Sequence, residues 1–176
     1  MSGRDDFEEY VAARMPALLR TAYLLTGNPH DAEDLVQSTL VKAVPAWKRV
    51  AGNPDAYLRR IMVNENISGW RRRRGREVLV DVTPDKGCED PDSDAALALQ
   101  HALMALAPRQ RAVIVLRYFE DRTERETAEV LGVAIGTVKS QARDALARLR
   151  VALPDLAVEQ DAEPATAERV TFHQGR

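Results

Sequence analysis

Apolar residues recur at three- and four-residue steps through most of the chain, and β-branched runs are scarce, so the pattern predicts helices. Phe7, Tyr10, Val11, Leu18, Leu19, Ala22 and Leu25 mark a first helix over 7–25, with Pro16 as a point of kinking or restart. Gly27-Asn28-Pro29 ends it in a turn. A second helix starts near His30-Asp31, acidic in its first turns as a helix N-terminus favours. Ala32, Leu35, Val36, Leu40 and Val44 form its inward stripe, and Asp31, Asp34, Gln37 and Ser38 stay outside. Pro45 breaks it, leaving Trp47 as a core anchor near its end. Gly52, Asn53 and Pro54 make a loop of KRVAGNPD, and a third helix spans Pro54 to Arg74. Its inward candidates are Tyr57, Leu58, Ile61, Met62 and Ile67, and its tail is the run RRRRGR.

Glu77 to Asp94 has no period and is rich in Asp, Pro and Gly, the composition of a flexible linker. Helices come next over Ala95 to Leu106 and over Arg109 to Glu120, the latter with Val113, Ile114, Leu116 and Phe119 inside. Thr123 and Glu126 form a capping-box pair that opens a short helix, and Gly132 suits the left-handed residue that ends one. A last helix begins near Ile135. Val138, Ala142, Ala145, Leu146 and Leu149 share its buried face, which leaves Ser140, Arg143, Asp144 and Ala147 opposite and Lys139 and Gln141 on the flanks. The tail past Leu153 has two prolines and no sustained period, so it is expected to be disordered. The fold class is therefore all-α, with two small helical domains joined by a flexible acidic linker. The divisions fall at 1–76, 77–94, 95–153 and 154–176.

Composition sharpens this picture mainly through charge. The 176 residues carry a net charge of −2, but the total hides segregation. Ala56 to Arg76 has seven basic residues against Glu65 alone, Glu77 to Asp94 has seven acids against Lys86, and Ile135 to Arg150 is basic four to one. Two basic blocks around an acidic one suggest two surfaces that face polyanions. Cys88 is the only cysteine, which excludes an internal disulfide and a cysteine-cluster zinc site. MSGRDDFEEY lacks the apolar core of a signal peptide, and no apolar run approaches membrane-spanning length. A soluble, cytoplasmic protein is expected.

The capped helix, glycine turn and amphipathic helix over 123–150 fit a helix-turn-helix that reads the major groove, or an ordinary helical hairpin. The third helix offers Arg60, Asn64 and Ser68 in one aligned row. Arginine for phosphates beside an amide that pairs with a base edge makes a sensible reader of exposed bases, with Tyr57 and Trp70 able to stack on them. His30, His101 and His173 stand in unrelated settings, and there is no phosphate-cradling glycine loop. No enzymatic role, metal, cofactor or small-molecule substrate is expected.

Over about Phe7 to Leu153 the chain resembles the extracytoplasmic-function sigma factors of bacterial RNA polymerase, within the sigma-70 superfamily. DAEDLVQSTL resembles their region 2.2 and YLRRIMVNENISGWRRRR their regions 2.3 and 2.4. LAPRQRAVIVLRYFEDRTERETAEVLGVAIGTVKSQARDALARL resembles region 4. NPDAYLRRIMVN with VLRYFED and GTVKSQ is also similar to the SigE-type subgroup of high-GC bacteria.

The resemblance implies that Asp31, Asp34, Leu35, Gln37 and Ser38 bind core polymerase, on the clamp of the largest subunit, while region 4 meets the flap of the second largest. It implies that Asn64 captures a flipped base of the minus 10 element, with Tyr57, Arg60, Ser68, Arg71 and Arg72 around it. Thr137, Lys139, Ser140, Gln141 and Arg143 would read the minus 35 element in duplex form. Partners would be core polymerase, promoter DNA and, as in many relatives, an anti-sigma factor, with no membrane. Three departures stand out. Many relatives have an acid near Ser68 or Gly69, Pro45 interrupts a segment that is often continuous, and the position of Asp144 is commonly basic. Gly69 is also expected to let the third helix fray before the arginines. The competing readings are a stand-alone helix-turn-helix regulator with an N-terminal interaction domain, and a nonspecific nucleic-acid-binding helical protein.

Overall fold

The computed structural model describes residues 3–50, 52–76 and 91–154. Residues 77–90 of the expected linker and 155–176 of the expected tail lie outside the described residues. Among those described, every regular element is helical.

Helix α1 (Gly3–Thr26) runs unbroken through Pro16, so the expected kink or restart does not occur as a break. Pro16 and Ala12, whose carbonyl loses its amide partner, are both exposed, so water can satisfy the orphaned oxygen. Gly27 then takes φ +90°, open to glycine at little cost. Asn28 caps α2 (Pro29–Ala43), its side-chain oxygen accepting from the Asp31 amide, with Pro29 pre-set for the first helical position.

Pro45 ends α2 as expected, but through a 3-10 turn over Val44–Ala46 that leads into the four-residue helix α3 (Trp47–Val50). Part of the expected loop is thus helical. The tighter turn leaves Val44 55% exposed, and Thr39 and Ala43 take the places in the buried stripe that counting had given it. Trp47 is buried between Phe7 and Tyr10, with ring centroids at 4.9 and 5.0 Å. Helix α4 (Pro54–Arg76) continues past Gly69 without fraying. Leu58, Met62, Val63, Asn66 and Ile67 are its buried residues, while Tyr57 and Ile61 are only partly covered.

In the second half, α5 (Pro91–Met104) starts four residues before the expected Ala95. Helix α6 (Pro108–Ile114) passes into a π-helical turn over Val115–Phe119, where the Glu120 amide donates to the Val115 carbonyl. The wider turn breaks the 3.6-residue period, and Phe119, expected inside, is 41% exposed. Helices α7 (Glu124–Leu131) and α8 (Ile135–Ala152) complete the chain.

Helices α1, α2 and α4 form one bundle around Ala22, Leu25, Val36, Leu58 and Met62, each fully or almost fully buried. The Leu, Val and Met side chains among them contribute about 1.5–3 kcal/mol apiece on burial. Helices α5 to α8 form a second unit, with Leu103, Leu106, Ile114, Ala145 and Leu149 in one cluster and Val113, Ala128 and Val138 in another. The two units share apolar contacts: Ala112, Val115, Leu116 and Val130 belong to the cluster centred on the first bundle.

Candidate nucleic-acid interface

The α7–α8 pair is a helix-turn-helix built by local rules. The Thr123 hydroxyl oxygen accepts from the Glu126 amide at 3.1 Å, and the Glu126 carboxylate accepts from the Thr123 amide at 2.8 Å. That amide, then the Thr123 hydroxyl, holds the Glu126 carboxyl below its ordinary range. Gly132 sits at φ +64°, and the Val133 amide donates back to the Ala128 carbonyl at 3.1 Å, closing the end of α7. Val138 is then fully buried against Val113 and Ala128, while Ala145 and Leu149 are buried against α5 and α6.

With that face fixed, Thr137, Lys139 and Arg143 are exposed, and Ser140 and Gln141 are half-buried. The Ser140 hydroxyl donates to the Thr137 carbonyl at 3.0 Å. Lys139 lies 3.6 Å from Glu124, and Arg143 lies 3.3 Å from Asp144. Exposed pairs of this kind are worth roughly 0–1 kcal/mol, so phosphates can displace them.

Helix α4 carries the second set. Arg60, Asn64, Ser68 and Arg71 are exposed on one face, with half-buried Tyr57 at its N-terminal end. The Asn64 amide makes no hydrogen bond among the described residues, so both halves of a bidentate contact are available. Trp70 is half-buried, with the Arg74 guanidinium 5.0 Å above its ring. Arg72 lies on a different side, turned towards α2.

The helix is tied down by charge. The Tyr10 hydroxyl donates to Asp55, as does the Arg14 guanidinium, with one contact at 3.1 Å. Burial alone would raise the Asp55 carboxyl, but these hydrogen bonds and the Arg14 charge hold it below its ordinary range. The same cluster pushes the Tyr10 phenol up to about 12, burial first and the Asp55 hydrogen bond second. Lys42 and Ser38 of α2 both donate to Glu65, and the Lys42 contact, foremost, holds that carboxyl down.

The two sets meet. Asn64, Ser68 and Arg71 line one wall of a groove whose other wall carries Thr137 and Gln141, over a floor of Ile67, Val113 and Val138. Lys139, Ser140 and Arg143 are not among its lining residues. A second groove, between α2 and α4, brings together Asp31, Asp34, Leu35 and Ser38 with Glu65, Asn66, Arg72 and Arg73. Leu35 is 8% exposed and belongs to the bundle core, so it offers only an edge, and exposed Gln37 is not part of the groove lining. Asn66 is buried at the groove, and its side-chain nitrogen has no hydrogen-bond partner.

Sequence reasoning missed the buried charges between the two units. The Arg111 guanidinium donates to the carbonyls of Leu25, Leu103, Met104 and Leu106 at 2.7–3.1 Å, and burial, then the Arg73 charge, draws it down to about 10. Glu120 accepts from Thr21 of α1 and from Arg59 of α4. The one signal was position: Arg59 falls in step with Met62, Val63 and Asn66, and Arg111 with Val115, both on buried faces.

Comparison with known proteins places these features in one family. Sigma-70 region 2 matches residues 10–76, and sigma-70, region 4 matches residues 96–149. The RNA polymerase sigma-E factor of Streptomyces avermitilis is 46% identical over 82% of this chain and 83% of its own length. That of Streptomyces coelicolor is 44% identical over 82% and 84%. Among solved structures, the sigma factor RpoE in complex with the anti-sigma factor NepR from Bartonella quintana superposes with a TM-score of 0.66 at 32% identity. That match covers 85% of this chain and 98% of that one. Both regions match in order, and close relatives align over most of either chain: the protein belongs to the sigma-70 family of RNA polymerase sigma factors, in its extracytoplasmic-function branch.

Proposed function

We propose that the chain is an alternative sigma factor that binds core RNA polymerase and directs it to a specific set of promoters. The observation that carries this reading is the presence, in one chain, of three surfaces that the competing readings do not need together. These are an acidic α2 face, a basic α4 with an exposed Asn64 row, and a capped helix-turn-helix. In this division of labour residues 1–76 bind core and recognise the minus 10 element, 77–94 connect, 95–153 recognise the minus 35 element, and 154–176 form a tail.

Asp31, Asp34, Gln37 and Ser38, with the edge of Leu35, form the polymerase contact. Asn64 takes a base that leaves the stack, Arg60, Arg71 and Arg72 hold phosphates, and Tyr57 and Ser68 flank it. Thr137, Lys139, Ser140, Gln141 and Arg143 read the upstream duplex. Opening the DNA then needs no chemistry: capturing unstacked bases offsets the few kcal/mol that unstacking costs. The protein is an initiation factor of the cytoplasm, not an enzyme. An anti-sigma partner is part of the same reading, on the precedent of the RpoE complex.

Purified chain mixed with core polymerase, and tested for run-off transcription from genomic fragments, decides the matter. Discrete promoter-dependent transcripts are expected. Failure to associate with core would end this reading and leave the stand-alone regulator.

A further inference from the structure

Asp144 is the one acid of α8, and it stands on the reading side of the helix. Val138, Ala145 and Leu149 fix the inward face. At about 100° per residue, Ser140 and Ala147 then point directly away from that face, and Arg143 and Asp144 fall on either side of them. Both flanking side chains are exposed, at 78% and 53%. The centre of the outer face is thus small enough to sit close to a base edge, between a cation and an anion.

Among the described residues, the fold gives that acid no other work. An acid within a helix ordinarily pairs with a base four residues on, and Arg148 holds that place. Arg148 instead donates to the Gln110 side-chain oxygen at 3.3 Å. The partner of Asp144 is Arg143, whose Nε donates to Oδ1 at 3.3 Å. Oδ2 and the two terminal nitrogens of Arg143 make no other hydrogen bond among the described residues. Lys139 differs, because its partner Glu124 belongs to α7, and a phosphate that takes the lysine leaves that acid behind on another helix. A phosphate that takes Arg143 leaves a bare carboxylate on the reading helix itself, among like charges. An acid there opposes binding to any duplex, and what offsets this is a base edge that offers a donor.

The major groove supplies one pair that fits. Across a G·C pair, guanine presents two acceptors, N7 and O6, and cytosine one donor, its N4 amino group. From Arg143 to Asp144 the side chains present two donors and then one acceptor. An A·T pair presents acceptor, donor, acceptor, which sets the adenine amino group against the arginine. We propose that Arg143 and Asp144 read as one unit, which selects a single G·C pair in fixed orientation: Arg143 donates to guanine, and the Asp144 carboxylate accepts from N4 of its cytosine partner. The unit rests on the role of α8 as a duplex reader, which a stand-alone regulator would share.

Holoenzyme assembled from the full chain and core polymerase, mixed with promoter duplexes randomised across the upstream element, yields the preferred sequence when the bound fraction is sequenced. Fluorescence anisotropy on single-position variants of that sequence then gives the preference at each pair. The natural chain should favour one G·C pair over each alternative by at least about fivefold. Asp144→Ala should lose that preference at that pair alone, and should bind random-sequence duplex more tightly because a like charge is gone. Asp144→Glu, which keeps the carboxylate, should retain the preference. Arg143→Ala should lose it at the same pair, and the double variant should lose no more selectivity there than the worse single variant. Tighter binding by Asp144→Ala with selectivity unchanged makes the acid a repulsive charge only and overturns the unit, as do losses at two different pairs. A chain that fails to associate with core ends the function proposed above but not the unit: the same selection on the chain alone then decides, and no G·C preference there overturns it.

Discussion

Helices α4 and α8 both present a polar row to solvent, yet they are held in opposite ways. Helix α4 is fixed by charge along its length: Asp55 to Tyr10 and Arg14, Arg59 to Glu120, and Glu65 to Lys42 and Ser38. Helix α8 is fixed mainly by Val138, Ala145 and Leu149, with Ala142 and Leu146 beside them and one hydrogen bond from Arg148 to Gln110, and its ion pairs, Lys139 with Glu124 and Arg143 with Asp144, stay on the surface. The difference fits the two tasks proposed for these helices. A helix that holds a strand pulled out of a duplex is loaded sideways, and cross-ties at several points resist that load. A helix that slides into a groove needs one firm back and, in front, charges whose weak surface pairs phosphates can displace.

Trp47→Ala gives the sharpest break of this contrast. It removes the ring that Phe7 and Tyr10 pack against, beside the Asp55 cluster, and should cost about 3–5 kcal/mol in denaturant unfolding. Promoter binding by the remaining folded fraction should be unaffected, and equal losses in both would show that α4 is not positioned independently. Next in size, Arg143→Ala should weaken upstream-element binding by about 1–3 kcal/mol if it reads a base. Its partner experiment, Asn64→Ala, should impair open-complex formation, read by permanganate reactivity of the melted strand, with core association intact. If both variants lost core binding equally, the division between the helices would fall.

Smaller again is Thr123→Ala, which removes the hydroxyl of the capping box and should cost about 1 kcal/mol. That loss should appear as lowered stability, with α4-dependent melting unchanged. The last effect is one of pH. The folded state holds the Asp55 carboxyl below its ordinary value, so its contribution is fully present above the unfolded value near 3.8 and fades as pH falls through the folded one. The stability gap between the natural chain and Asp55→Asn should therefore be constant near neutrality and close in acid. A gap that widened in acid would reverse the assignment.

Much of the molecule is readable from residues alone, for reasons that can be named. The Thr123–Glu126 box and Gly132 act within four residues, so their chemistry is local and the spacing suffices. The Arg60, Asn64, Ser68 row comes from helical period once Leu58, Met62 and Ile67 fix the inner face. Phe119 and Val44 were misplaced because counting by 3.6 fails where the backbone winds as a π or a 3-10 turn. The packing of the two units was illegible for a different cause. Arg59, Arg111 and Glu120 are charged, and a charged residue in an amphipathic pattern reads as surface until its partner, 61 residues away in the case of Arg59 and Glu120, is known.

The π turn between Val115 and Phe119 amounts to one residue inserted into an α-helix, and each inserted residue rotates the downstream chain by about 100° about the helix axis. The insertion therefore sets the angular phase at which α6 delivers Glu120, just as it sends Tyr118 and Phe119 to solvent. Deleting a single residue from 115–119 would restore an ordinary helix and point Glu120 a quarter-turn away from Thr21 and Arg59. The phase of one helical turn thus acts as a gear tooth: the same turn seats Val115 and Leu116 in the core shared with the first bundle and sets where Glu120 meets Thr21 and Arg59.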